Sequence, residues 1–129
     1  SSNKVISYNI VDEIPDKRHI IYKKLNIDFR IKNVLEDLNR DLLQKVKIVM
    51  IDIDHFGKIE GLILNKLYQE GFSGIILLDD IHHPQPREKI LMENLWKNVN
   101  IKKYDLTNYG HFSGTGVVLM NTEIDLELV

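Results

Sequence analysis

Two acidic strand tips carry the residues of this chain best equipped for chemistry. Val49-Met50-Ile51-Asp52-Ile53-Asp54-His55 and Gly74-Ile75-Ile76-Leu77-Leu78-Asp79-Asp80-Ile81-His82-His83 are apolar runs of strand length, each ending in paired carboxylates followed by imidazole. Asp52 and Asp54, two apart at a strand end, project to one face; Asp79 and Asp80 are adjacent, so one turns inward and a bend in the loop brings the other. Carboxylates gathered at one point repel unless a cation neutralises them. A hard divalent ion such as magnesium does so, taking oxygen ligands at about 2.0–2.1 Å and keeping positions for water or substrate. The plainer account is helix capping and loop solubility, but two such pairs on consecutive strands favour a site. His55 and His82 are candidate bases, ligands or ligand-orienting groups, whereas His83, beside Pro84, reads as a solvated loop histidine. His111 lies in a glycine-rich stretch that reads as a tight turn.

The elements that must position these residues follow from periodicity. Lys4 to Ile10 has the β-branched and aromatic content of a strand, and Ile27 to Ile31 alternates as a short strand should. Residues 11–24 read as a loop with a short helix over 18–24. Asn33 stands before a helical pattern with Leu35, Leu38, Leu42 and Leu43 on one face, which it is placed to cap. Lys47 to Ile53 is almost continuously apolar, which predicts a central parallel strand buried on both faces. Ile59, Leu62, Ile63, Lys66 and Leu67 predict one face of a helix over 58–70, closed by Gly71. Gly74 to Leu78 is a second buried strand, and Pro84 and Pro86 precede a helix over 87–96. Strands over 101–105 and 116–120 flank a turn-rich segment and predict an antiparallel pair. Together these elements predict an α/β fold: a doubly wound, mostly parallel Rossmann-like sheet with an antiparallel edge strand, in three α/β/α layers. Ligands in such sheets bind beyond the carboxyl ends of the strands, where both acidic tips lie.

Length and composition bound the answer. A chain of 129 residues with 43% hydrophobic and 28% charged residues fits a single globular domain over 1–129. A net charge of −2 with interspersed signs offers no field for bulk nucleic acid or an anionic membrane, so a small-molecule substrate is the expected partner. Without cysteine, a metal must be held by oxygen or imidazole. No apolar run approaches the ~20 residues of a membrane span, and residues 1–4 have no signal-peptide character, so a cytoplasmic location is expected. A homo-oligomer is compatible with all of this.

Asp52-Ile53-Asp54, a following helix, and Ile76-Leu77-Leu78-Asp79-Asp80-Ile81, with 27 residues from Asp52 to Asp79, resemble the metal site of class I S-adenosylmethionine-dependent O-methyltransferases of the macrocin and catechol type. In that family an acid at the end of strand four and an acid pair at the end of strand five hold magnesium. The resemblance implies Asp52, Asp79 and Asp80 as ligands of Mg2+ (or Mn2+), Asp54 as first-choice base and His55 as second. It implies cofactor contacts at Asn9, at the tip of the second strand, and at Asn33, near the adenine. Tyr104 to Thr107 and Gly110 to Gly116 resemble a late hairpin of methyltransferase-like proteins. The implied reaction is methyl transfer to a small hydroxylated substrate.

The chain departs from the family in two ways: it lacks the first strand with its glycine-rich cofactor loop, and Asn9 replaces an acid. It therefore reads as an N-terminally truncated methyltransferase-like domain, either a fragment of an enzyme or a reduced domain. Two other readings are a haloacid-dehalogenase-like phosphatase, with Asp52 as nucleophile and Asp54 as acid, and a non-catalytic α/β binding module.

Overall fold

A computed structural model describes residues 3–12, 18, 21 and 23–127 of the chain. It is an α/β protein that divides into two compact units, Ser1–Asp37 and Leu38–Val129. Of the helix expected over 18–24, the described residues Arg18, Ile21, Lys23 and Lys24 are helical, and the others lie outside the described residues.

In the first unit, β1 (Val5–Asn9) pairs in parallel with β2 (Ile27–Ile31). A polar network supports the pair. The Arg30 guanidinium donates to Asp28 and Asp37 and to the Tyr8 hydroxyl, and Lys32 donates to Asp37. Hydrogen bonds from Lys32 and then Arg30 hold the Asp37 carboxyl down at about 2.

The second unit contains α1 (Arg40–Leu43), β3 (Ile48–Ile51), α2 (Lys58–Gln69), β4 (Gly74–Asp79), α3 (Pro86–Asn98), β5 (Lys103–Asp105) and β6 (Thr115–Met120). Its sheet has the order β3-β4-β6-β5, with β3 parallel to β4, and β6 antiparallel to both of its neighbours. The expected antiparallel pairing of the last two strands is present. The antiparallel strand itself, however, lies inside the sheet with β5 outside it, so the sheet is mixed. Among the described residues, no helix is long and apolar enough to cross a membrane.

Three expectations change. The pattern after Asn33 is two separate turns rather than one helix: Asn33 caps a 3-10 turn over Val34–Glu36, and Asn39 caps α1 through its bond from Leu42 N–H. Asn39 adopts an extended backbone because its side chain offers the next turn a cap, and that interrupts the run. β3 is an edge strand of its sheet, with Ile48 and Met50 exposed; an apolar run specifies a strand but not how many neighbours it has. In α2 the buried residues are Glu60, Ile63, Leu64 and Leu67, and Leu62 is exposed. The helix is thus rotated from the expected face, and a carboxylate joins the apolar stripe.

Local rules explain the ends of α2. Gly71 has φ +75, and Gly71 N–H and Phe72 N–H bond back to Tyr68 O and Leu67 O, the paired bonds of a Schellman cap. This turn sends Phe72 into the core with Leu67, Ile76, Leu78, Ile81, Met92 and Val118, all fully buried. Close approaches then set the register. A Cβ on Gly74 would lie 2.3 Å from Lys47 O, and one on Gly116 would lie 2.6 Å from the Trp96 ring. Because the Lys47 contact is backbone and cannot swing aside, Gly74→Ala is expected to cost roughly 2 kcal/mol or more of stability by chemical denaturation. An unchanged midpoint would show that the β3–β4 approach is looser than described.

Candidate functional site

The C-terminal ends of the parallel strands β3 and β4 lie side by side, because Ile51 pairs with Leu78. Each strand is followed by a residue in the left-handed region, His55 at φ 60 and Asp80 at φ 53. This backbone is unfavourable outside glycine, less so for Asp and His, and here it turns both side chains toward each other. His55 Nε2 lies 3.4 Å from Asp52 Oδ1 and 3.5 Å from Asp80 Oδ2, and so stands between two of the expected ligands. His83 Nε2 is 3.8 Å from the same Asp80 oxygen, and its ring stacks on His55 with centroids 5.0 Å apart.

Glu60 holds the His55 loop from beneath. Its Oε1 accepts from His55 N–H at 2.8 Å, and the residue is only 1% exposed, with no hydrogen-bond partner for Oε2 among the described residues. Glu60 is the third residue of α2, where an acid can reach back to an open N–H before the helix. Sequence reasoning missed it; the available signal was its spacing from Ile63, Leu64 and Leu67.

The far side of Asp80 is organised by the loop before β6. Ser113, almost fully buried, donates its hydroxyl to Asp80 Oδ1 and contacts His111 Nδ1. With the Ser113 hydroxyl proton directed at Asp80, His111 Nδ1 is the donor to Ser113 Oγ, giving a hydrogen-bonded chain that ends on the carboxylate. Gly114 makes this possible: it has φ +94, and a Cβ there would lie 2.8 Å from the Ile81 side chain. His82 N–H also bonds Ser113 O at 2.8 Å. Gly114 and Gly116 of this stretch therefore serve close approach, as in a tight turn. His111 Nδ1 lies 3.5 Å from Asp80 Oδ1 and 4.0 Å from Asp79 Oδ1.

Two groups have ligand atoms within 4.8 Å of one another: His55, Asp80 and His83, and Asp79, Asp80 and His111. Asp80 belongs to both. Asp52 joins through His55, and Asp79 through His111. Among the described residues no Lys or Arg forms an ion pair with Asp52, Asp79 or Asp80, in contrast to Asp28, Asp37, Glu70, Glu93 and Asp125. Among the described residues, the ion-pair contacts of Asp52, Asp79 and Asp80 are all with imidazoles, and Asp80 also accepts from the Ser113 hydroxyl. No protein-family model and no curated protein matches this chain.

The other expected site residues are placed differently. Asp54 is exposed, and its Oδ1 accepts from Phe56 N–H at 3.2 Å, the bond of a turn. Asn9 and Asn33 belong to the first unit. Asn9 Oδ1 accepts from Ile10 N–H and Asn33 Oδ1 from Leu35 N–H, so both side-chain carbonyls are used locally.

The two histidines after β4 exchange the roles read from the sequence, with His83 in the cluster and His82 outside it. His82 Nε2 contacts Asp105 Oδ2 at 2.6 Å and its Nδ1 contacts Glu93 Oε1 at 3.1 Å, clamping the β4 loop to α3 and β5. The hydrogen bond with Asp105, helped by Glu93 and opposed by burial, raises the His82 pKa from its ordinary 6.5. A raised cationic pKa contributes stability in full below the unfolded value and loses it as pH rises through the folded value. The stability advantage of wild type over His82→Gln is therefore expected to be larger at about pH 6 than at about pH 8, read from denaturation midpoints. A pH-independent difference would mean that His82 acts by packing alone.

Proposed function

We propose that the edge where β3 and β4 end binds a divalent cation and a small hydroxylated substrate, in a domain of the magnesium-assisted, S-adenosylmethionine-dependent O-methyltransferase kind. The observation that carries this reading is the set of acids at adjacent parallel strand tips, Asp52, Asp79 and Asp80, which among the described residues have imidazoles beside them and no Lys or Arg ion pair. The same reading takes the mixed sheet as part of a doubly wound, three-layer Rossmann-like fold.

The donor set fits magnesium, which is bound by oxygen and retains waters. Asp52 and Asp80 would hold it after His55 moves from between them, with Asp79 as the third oxygen donor. When bound, the ion supplies Lewis-acid activation of a substrate hydroxyl. This chain's residues do the rest. Ser113 and His111 fix the orientation of Asp80. His55, displaced but adjacent, is the acceptor for the hydroxyl proton in preference to Asp54, which is turned to Phe56 N–H. That turn also withdraws support from the phosphatase alternative, which needs Asp54 as its acid. S-adenosylmethionine is less well matched: the Asn9 and Asn33 carbonyls are engaged locally, the methyl-donor part rests on the family resemblance, and no step is derived through it.

Calorimetric titration with Mg2+ and Mn2+ tests the cation. Asp79→Ala is expected to weaken binding about tenfold or more, and equal affinities would remove Asp79 from the site. Equilibrium binding of S-adenosylmethionine to the same chain, with and without Mg2+, tests the donor. Cation binding without cofactor binding favours a non-catalytic, cation-binding module.

A further inference from the structure

We propose that His55 Nε2, Asp80 Oδ2 and His83 Nε2 form a site for a late first-row divalent cation of the zinc or cobalt kind, on the imidazole side of Asp80. The inference shares Asp80 with the magnesium reading but does not depend on methyl transfer.

The two imidazole nitrogens lie 3.5 Å and 3.8 Å from the shared carboxylate oxygen. Both separations exceed the roughly 2.7–3.2 Å of a direct N–H···O hydrogen bond. Two ligands at about 2.0–2.1 Å from one ion at a tetrahedral angle lie about 3.3–3.4 Å apart, so the spacing suits an ion between the groups better than a bond joining them. All three ligand atoms fall within 4.8 Å of one another.

Two imidazoles and a carboxylate bind Zn2+, Co2+ or Ni2+ in preference to Mg2+, and three protein ligands leave a position open for water or substrate. The ligands are also supported. Ser113 orients Asp80 through its other oxygen, and Glu60 fixes the His55 backbone. Ligands held from behind in this way bind tightly. The His55, His83 and Asp80 side chains are only 18%, 15% and 14% exposed, so an ion would sit in a partly dehydrated pocket that still opens to solvent.

One internal competitor must yield. His83 Nδ1 accepts from Gln85 N–H at 3.2 Å, which in the neutral ring leaves the proton on Nε2. Metal binding at Nε2 moves that proton to Nδ1 and releases the exposed Gln85 N–H to water.

The test is titration of the metal-free full chain with Zn2+ by calorimetry and with Co2+ by visible absorption, in magnesium-free buffer. Expected are one ion per chain and Co2+ bands of tetrahedral, nitrogen-containing coordination. His83→Ala is expected to weaken Zn2+ binding at least about a hundredfold, because a direct ligand is lost. His55→Asn should do the same, and asparagine tolerates the left-handed backbone at that position. Asp79→Asn is expected to leave Zn2+ affinity within about threefold while weakening Mg2+, which separates this site from the magnesium reading. Far-UV circular dichroism checks that each variant is folded. Zn2+ affinity unchanged in folded His83→Ala or His55→Asn, or Co2+ bands that survive either change, overturns the proposal.

Discussion

Asp80→Asn is expected to lower divalent-cation affinity by about a hundredfold or more, equivalent to roughly 2.7 kcal/mol of binding free energy, with little change in fold. Asp80 is the one acid common to both ligand groups. Asparagine is nearly isosteric, tolerates the φ of 53, and can still present an oxygen to the Ser113 hydroxyl. What changes is the charge, and the donor character of the atom facing His55 and His83. Alanine at this position would mix that loss with backbone strain and an unpartnered Ser113, so asparagine is the cleaner probe. The measurement is calorimetric titration with Mg2+ and Zn2+, beside a denaturation curve. A folded Asp80→Asn chain that binds both ions as wild type does would mean that the strand tips hold no cation.

Phe72→Ala is expected to cost about 3–5 kcal/mol of stability, the range for removing a fully buried aromatic ring. Phe72 is 0% exposed and occupies the position after the Gly71 cap. The chain here cannot easily collapse into the space. Phe72 N–H is tied to Leu67 O, Phe72 O accepts from Asn121 Nδ2 at 3.0 Å, and Ser73 Oγ donates to Asn121 O. With the backbone pinned on both sides, the cavity stays open. Against a total stability typically of 5–15 kcal/mol, the loss is large enough to leave a substantial unfolded fraction on mild heating. Two changes in α2 calibrate the result. Leu64→Ala, buried, is expected to cost about 2–4 kcal/mol, and Leu62→Ala, 44% exposed, less than about 1 kcal/mol. The reverse order would restore the helix face read from periodicity and contradict the observed one. Urea denaturation of all three variants decides it.

That rotation of α2 shows where sequence reasoning stops. Ile59, Leu62 and Ile63 satisfy a helical spacing, but so do Ile63, Leu64 and Leu67 with Glu60. Choosing between overlapping stripes needs the partner surface, here α3, which crosses at Gly57 and Gly61 close to Leu91 and Leu95. The single helix expected after Asn33 failed for a related reason: the cap at Asn39 competes locally with helix continuation. Propensity summed over a window does not see that competition.

By itself the sequence determined the local elements: the strands ending in acids, the helix between them, the glycine cap after α2, and the antiparallel pairing of β5 and β6. These depend on side-chain period and turn residues, which are written in contiguous residues. Only the tertiary structure decided which groups meet. Left-handed turns at His55 and Asp80 bring His83 into the cluster and leave His82 to clamp Glu93 and Asp105. Ser113 reaches Asp80 across 33 residues because Gly114 lets two loops touch. The direction of a loop side chain is set by one or two backbone angles and by distant packing, and neither has a period that a sequence can display.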